Sequence, residues 1–386
     1  MSTVSLADSK APSAVGRVHR DTAICEAEVI QLRLPYRSAV SFKSLRESTG
    51  EYAILRLALR DGLDGIAEAV CRPGQSGEDA GLIAYQIDRF FKDKLIGADA
   101  LGHGEILADI AAIRSCAAAK ALIDNALWDL RGKIFGVPVW QLLGASSVDP
   151  VPLTWIAHGN SVEVQVAEAK DAAQHRGFKG LKLKTWRRSF EDVRMVGAVR
   201  DAVGDYPIIY IDCNSAYSES AARTILPAVA KYNVSFIEEP CSFADATRQA
   251  AMATALPIAL LGDQSCGNLR DTAQMVRLNA VGAVSVKLRR TGISEALKVA
   301  SLCEAMGLPV VIGTDSESRI GALARIHLRA AVSYFDPWPI ETHFFQKLTD
   351  DVFAGEFNFT NGCVTPTSAP GFGASIDYAK LEKYRI

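Results

Sequence analysis

Apolar and polar residues alternate from about Thr22 to Leu34 and again from Tyr52 to Leu59, which predicts two strands with a glycine-containing linker between them. Asp61-Gly62 reads as a hairpin turn into a third strand around Gly65–Val70. Three antiparallel strands followed by helices predict an α+β unit. The clearest helix is Ala117–Phe135: Ala121, Leu122, Asn125, Ala126, Trp128, Asp129 and Lys133 recur at helical spacing, and Gly136-Val137-Pro138 ends it. A second break falls at Gly144–Pro150.

Beyond Pro150 the pattern changes. Short apolar or β-branched runs alternate with helix-length stretches: Val151–Ala157, Gly180–Lys184, Pro207–Asp212, Val234–Glu238, Pro257–Gly262, Ala283–Lys287, Pro309–Gly313 and a weaker run near Ala330–Phe335. Eight such units predict an α/β fold, a TIM-type (β/α) barrel, carrying the N-terminal α+β unit as a capping domain. An open dinucleotide-binding sheet is disfavoured, because no G-x-G-x-x-G follows an early strand. The expected organisation is a tail over 1–20, a capping domain over 21–148, a barrel over 149–345 and a C-terminal segment over 346–386 that returns to the capping domain.

Composition narrows the partners. The chain has 386 residues and a formal net charge of −2, so nothing favours nucleic acid or an anionic membrane. Its eight cysteines (Cys25, Cys71, Cys116, Cys213, Cys241, Cys266, Cys303, Cys363) form no C-x-x-C pair, and scattered cysteines in a long chain point to a reduced, cytoplasmic protein. Met1–Arg20 is rich in Ser and Ala without an apolar core, and reads as a disordered tail rather than a signal peptide. The apolar runs are too short for a membrane span.

The candidate chemistry lies at the strand ends. Lys182 and Lys184, Asp212 and Asn214, Glu238 and Glu239, Asp263, and Lys287 end successive predicted strands. Positions 212, 238, 263 and 287 are separated by 26, 25 and 24 residues, about one βα unit each. Charges at that period fall at one end of a barrel, where barrel enzymes build their sites. Any one of these residues alone could be a solvated loop start; five successive strand ends with complementary charge argue for a site. Three converging carboxylates would repel one another without a cation, and an oxygen-only donor set suits Mg²⁺ rather than Zn²⁺. Such an ion can neutralise the charge gained when a carboxylate is enolised. Lys182 and Lys184, two apart on a strand, share a side, and beside another ammonium and a metal a lysine's pKa is expected to fall towards neutral. Lys287 lies four strands from Lys184, on the opposite wall.

With these residues in view, the sequence resembles the enolase superfamily, specifically its muconate lactonizing enzyme subgroup. The resemblance spans about residues 22 to 386. It rests on Gly180-Leu181-Lys182-Leu183-Lys184, Ile211-Asp212-Cys213-Asn214, Ile237-Glu238-Glu239-Pro240, Gly262-Asp263-Gln264-Ser265 and Val286-Lys287-Leu288-Arg289, and on the helical segment Ile123–Leu130. It implies Asp212, Glu238 and Asp263 as ligands of Mg²⁺ (Mn²⁺ as a substitute), with Asn214 and Gln264 beside them. It implies Lys184 and Lys287 as the acid/base pair, and Lys182 and Glu317 as contacts of the substrate carboxylate. For Glu317 the competing reading is a surface carboxylate at a helix start. Gln264 departs from the Glu frequent in the family. No His follows the seventh strand, as the mandelate racemase subgroup would require, and no Asp-x-Asp follows the eighth.

Substrate contacts are sought in two capping loops, Pro35–Leu45 with Arg37 and Lys43 (and Arg46 just beyond) and Cys71–Glu78 with Arg72, which would suit a second anionic group or be plain surface charge. Asp336 and Trp338 could instead hold an ammonium, by charge and by cation–π attraction, with core packing as the alternative for Trp338. His158, ending the first barrel strand, either lines the pocket or is structural. The expected activity is that of a Mg-dependent isomerase, a racemase, epimerase or cycloisomerase, acting on a small carboxylate through an enolate and assembling as a homo-oligomer. Alternatives are a dehydratase or other lyase working by β-elimination, a Schiff-base lyase, or a catalytically silent binding homologue.

Overall fold

The computed structural model describes residues 21–42, 45–159 and 161–386. The expected tail Met1–Arg20 and Lys43 lie outside the described residues. Strands β1 (Ile24–Phe42), β2 (Leu45–Leu59) and β3 (Asp64–Cys71) form an antiparallel sheet in that order. Pro35–Phe42, expected as part of a loop, is therefore strand. Pairing runs from Ile24↔Leu59 to Phe42↔Leu45, with register shifts after Ile24 and between Pro35 and Val40. An edge strand tolerates Pro35, whose missing N–H breaks no ladder there, and the buried Tyr36 bridges to Leu348.

Both faces of this sheet are buried. Ala53, Leu55, Leu57, Ala67 and Ala69 pack with Leu122, Ile123, Ala126 and Leu130 of helix α1 (Ala117–Phe135), whose bounds are those predicted. Ile30, Leu32, Tyr52, Ile54 and Val70 join the barrel core on the other side.

The barrel contains seven parallel strands in chain order: β5 (Thr154–Ala157), β6 (Gly180–Lys184), β7 (Ile208–Asp212), β8 (Val234–Glu238), β9 (Leu260–Gly262), β10 (Ala283–Val286) and β11 (Val310–Ile312). The start of the first predicted strand splits off as β4 (Val151–Pro152) and pairs instead with the strand Cys363–Thr365. The eighth strand expected near Ala330–Phe335 is absent. Those residues finish the helix Arg319–Ala331 and make a 3₁₀ turn, Ser333–Phe335. The gap is closed a few residues later. Ile340 N donates to Pro152 O (3.0 Å), Thr154 N to Ile340 O (2.7 Å) and Glu341 N to Ile312 O (2.9 Å), so Pro339–Glu341 is stitched between the first and last strands.

Capping domain and barrel meet along α1 and helix α2 (Leu288–Met306). Asp124 accepts from Ser294 N (2.8 Å) and Oγ (2.6 Å), and Trp128 Nε1 donates to Ser294 Oγ (3.0 Å). Asn125 accepts from Ile293 N (3.1 Å) and donates to Leu288 O (3.3 Å). Gly292 breaks the helical path with φ +62°, and a Cβ there would lie 2.3 Å from Asp124 Oδ2. Residues near the C-terminus touch the same domain: Phe372 N donates to Asp129 Oδ1 (2.6 Å), and Arg385 bridges to Leu32. No helix among the described residues is long and apolar enough to cross a membrane.

Candidate active site

Strand pairing sets three charged residues side by side: Lys184 pairs with Asp212, and Asp212 with Glu238. The loops after β9 and β10 begin with Asp263 and Lys287. Lys182, Lys184, Asp212, Asn214, Asp263, Gln264, Lys287 and Glu341 line one cavity at this end of the barrel, together with His158 and Arg72. Since β6 and β10 are four strands apart, Lys184 and Lys287 reach it from opposite walls.

Its interior is a lattice of opposite charges. Lys184 Nζ donates to Asp212 Oδ2 (2.6 Å) and Asn214 Oδ1 (2.8 Å). Lys287 Nζ donates to Asp263 Oδ2 (2.9 Å) and stands 3.7 Å from Asp315 Oδ1. Lys182 Nζ donates to Glu238 Oε1 (2.9 Å) and Glu341 Oε1 (3.0 Å), and lies 3.3 Å from Asp212 Oδ2. Burial alone would raise the carboxyl pKa of Asp212, but Lys184 and Lys182 outweigh it and hold the group at about 2. Asp263 is lowered likewise by Lys287 and Arg290 against its burial. Glu238 is pushed well up, first by burial and then by Asp212, although Lys182 opposes the shift. Burial pulls Lys182 and Lys287 down, yet Glu238, Glu341 and Asp212 around the first, and Asp263 and Asp315 around the second, leave both raised.

Several positioning residues were not singled out by sequence reasoning. Glu341 is wholly buried and accepts from Lys182 and from Tyr210 Oη (2.6 Å). The seventh strand ends at Ile312, so a period near 25 pointed beyond Phe335, towards this segment. Arg290 Nη2 donates to Asp263 Oδ1 (2.7 Å). Glu239 turns away from the cavity and accepts from Asp263 N (2.9 Å), Ser265 N (3.0 Å) and Ser265 Oγ (2.8 Å), fixing the loop that carries Asp263. Asn214, Ser215, Glu239 and Ser316 all have φ between +41° and +86°. Left-handed backbone at non-glycine residues is costly and gathers where side chains must be aimed.

Three predicted contacts lie elsewhere. Glu317 is buried, but its carboxylate is taken by Arg325, by Thr314 Oγ1 (2.6 Å) and by Asp315 N (2.9 Å), and it does not line the cavity. It is not a surface residue either. Asp336 pairs with Arg329, and Trp338 packs on Phe236 (4.5 Å between centroids) beneath the barrel interior. Both precede the closing segment Pro339–Glu341, so they sit at the opposite end from the mouth; placing the eighth strand too early moved them to the wrong side. Arg72 does reach the cavity, held by Glu47 (2.9 Å) and Asp315 O (3.3 Å).

The donors at the mouth are carboxylate oxygens from three neighbouring strand ends, chemistry that suits a hard dication. Glu238 Oε2 is buried 2.7 Å from Lys182 Nζ and has no hydrogen-bond donor among the described residues. Among the described residues no three such groups converge on one point; Lys184 pairs with Asp212, and Lys287 and Arg290 pair with Asp263.

Residues 21–144 match the mandelate racemase / muconate lactonizing enzyme N-terminal domain, and residues 165–380 match the enolase C-terminal domain-like family. A chloromuconate cycloisomerase of Pseudomonas putida is 28% identical over 350 residues, covering 89% of this chain and 94% of the relative. An N-succinyl-L-Arg/Lys racemase of Bacillus cereus is 26% identical over 361 residues, covering 92% and 96%. Among solved structures, the muconate lactonizing enzyme of Pseudomonas fluorescens complexed with muconolactone superposes with a TM-score of 0.89 at 26% identity, covering 95% of this chain and 100% of that one.

Proposed function

The chain belongs to the mandelate racemase/muconate lactonizing enzyme family of the enolase superfamily, and from that premise we propose that it is an isomerase that moves the proton on the carbon beside a substrate carboxylate. The observation that carries this reading is the pair Lys184 and Lys287, reaching one cavity from opposite walls with strand-end carboxylates between them. Asp212, Glu238 and Asp263 would hold Mg²⁺, which when bound offsets the negative charge that enolisation adds to a carboxylate.

The chain's own groups account for the proton's path. One lysine, as the free amine, takes the α-proton, and the C–H electron pair passes into the enolate. It must first give up a proton and its carboxylate contact, 2.6 Å for Lys184 and 2.9 Å for Lys287. The opposing ammonium returns a proton to the other face of the same carbon, giving racemisation, or protonates the enolate left by ring closure, giving cycloisomerisation. Lys182 is the cation nearest the substrate carboxylate, and Glu341 and Tyr210 fix its position. Glu317 is not needed, since its carboxylate is engaged in its own loop.

The test is a screen of carboxylates in D₂O with Mg²⁺, read by NMR for deuterium appearing at the α-carbon, by exchange in a racemase substrate or by incorporation into the lactone in a cycloisomerase substrate. The relatives supply the first compounds: muconate, and N-succinyl arginine and lysine. Lys184→Ala and Lys287→Ala should each abolish turnover, while one of them still exchanges the proton of a single stereochemistry. Full activity in either variant would end the two-base reading.

A further inference from the structure

Away from the mouth, a cavity of about 480 Å³ lies in the joint between the two domains. The capping domain lines it with Arg114 and Lys120, and α2 of the barrel with Arg290 and Lys298. Against these four cations the described lining residues include two carboxylates, and both are engaged. Asp124 accepts from Ser294 N (2.8 Å) and Oγ (2.6 Å) and lies 2.6 Å from His103 Nε2. Glu295 Oε1 accepts from Leu269 N (2.8 Å). Arg114 and Lys298 are exposed at the rim and have no hydrogen-bond or ion-pair partner among the described residues. Lys120 is half-buried and donates to Ile113 O; burial lowers its pKa, although Cys116 and Glu295 oppose the shift. Arg290 Nε is buried with no acceptor among the described residues. The cavity also meets the start of the 19-residue α1, which no side chain caps. Free N–H groups and the positive end of the helix dipole add to the field of the cations.

We infer that this interdomain cavity binds a phosphate group, as the free ion or on a small metabolite, and that its occupant is felt at the mouth through Arg290. Phosphate suits the site better than a carboxylate: with more oxygens and up to two charges it can engage cations from both walls and the helix start together. Leu107 and Ile110, on the capping side, leave an apolar wall for the carbon part of an ester. Arg290 joins the two sites. Its side chain lines the joint, while its Nη2 donates to Asp263 Oδ1 (2.7 Å) and Asp263 O (3.1 Å) at the mouth. An anion beside Arg290 takes up part of the charge now directed at Asp263 and frees that carboxylate for Mg²⁺. This link rests on the reading above in taking Asp263 as a metal ligand; the anion site itself does not.

The experiment is calorimetry on the full chain, metal-free, at about 0.15 M KCl, where diffuse surface charge is screened beyond about 8 Å. Inorganic phosphate and glycerol 3-phosphate should each bind at least about tenfold more tightly than acetate, because several charge-assisted bonds act on one group. The tighter of the two identifies the source, free ion or ester. Arg114→Met/Lys298→Met changes two exposed residues, neither of which lines the mouth. It should weaken phosphate at least about tenfold, by removing two of its charge-assisted partners, and leave acetate within about twofold. Phosphate bound no better than acetate, or bound equally by the double variant, would overturn the site; the second result would put the anion among the mouth lysines. A Mg²⁺ titration should then tighten about fivefold in saturating phosphate for the wild type, a typical coupling between sites, but not for the double variant or for Arg290→Met. Comparing proteins in one buffer removes any pairing of Mg²⁺ with phosphate in solution. A wild-type Mg²⁺ affinity indifferent to phosphate would overturn the link through Arg290. A protein that binds phosphate through Arg114 and Lys298 but takes up no Mg²⁺ would sink the metal reading of the mouth, and the link with it, and leave the anion site intact.

Discussion

Lys182 shows how much one side chain carries. It is buried among Glu238, Glu341 and Asp212, and its ammonium is their shared counter-charge. Removing one partner of a buried ionic cluster strands the others and costs about 3–5 kcal/mol. Lys182→Met should destabilise the metal-free protein by that order in urea denaturation. Lys182→Met/Glu341→Gln should recover part of the loss, since a double-mutant cycle isolates the coupling between the two. Additive effects would show that Glu341 does not hold Lys182. Of this pair, Lys182 was legible from its strand-end position beside Lys184. Glu341 was not, because Pro339–Glu341 is held by backbone bonds to both neighbours and has too few residues to show alternation.

At the scale of elements, the joint between domains invites two measurements. Gly292 holds φ +62° against Asp124 of α1, so Gly292→Ala combines backbone strain with a side-chain clash. A loss of about 2–4 kcal/mol is expected, with faster hydrogen exchange in α1; a neutral substitution would mean that the two helices part easily. The second joint is Glu68 of β3, whose carboxyl accepts from Ser318 N (2.9 Å) and Ser318 Oγ at the N-terminus of the Arg319–Ala331 helix. Burial pushes its pKa up to about 8, against the pull of the Ser318 bonds. Between about 4.5 and 8 the folded protein then holds a proton that the unfolded chain has released. Stability from this group is complete below the lower value and is lost as pH rises through the window, by up to about 1.4 kcal/mol per pH unit. Relative to Glu68→Gln, the wild type should therefore weaken from pH 5 to pH 8 in parallel denaturant titrations; a constant difference would refute the shift. The helix α1 could be read from its apolar spacing and its Gly-Val-Pro stop. The role of its polar residues could not, because Asp124 and Asn125 are explained by backbone groups of α2 more than 160 residues away.

For the whole molecule, the seven parallel strands were legible because each is an apolar run bounded by turn residues, and the strand-end charges because a repeating βα unit imposes a period. What escaped was closure. The missing eighth strand is a tertiary event, bonds from one short segment to both edges of an otherwise open sheet, and it decided on which side of the barrel Asp336 and Trp338 fell. The same topology yields a global prediction about the metal. Asp212, Glu238 and Asp263 come from three successive strand ends, so an ion bound by all three is bound by the folded barrel and not by the unfolded chain. Such an ion stabilises the fold by about 1.4 kcal/mol for each tenfold excess over its Kd. Thermal melts should therefore rise with Mg²⁺ and fall back with EDTA. Asp263→Asn should flatten that response, since it removes a donor while leaving the side chain's shape. Arg290→Met, which frees Asp263 Oδ1 from its 2.7 Å partner, should steepen it by relieving competition for the carboxylate. Melts that ignore Mg²⁺ in the wild type and in Arg290→Met alike would show that the three carboxylates serve the lysines alone.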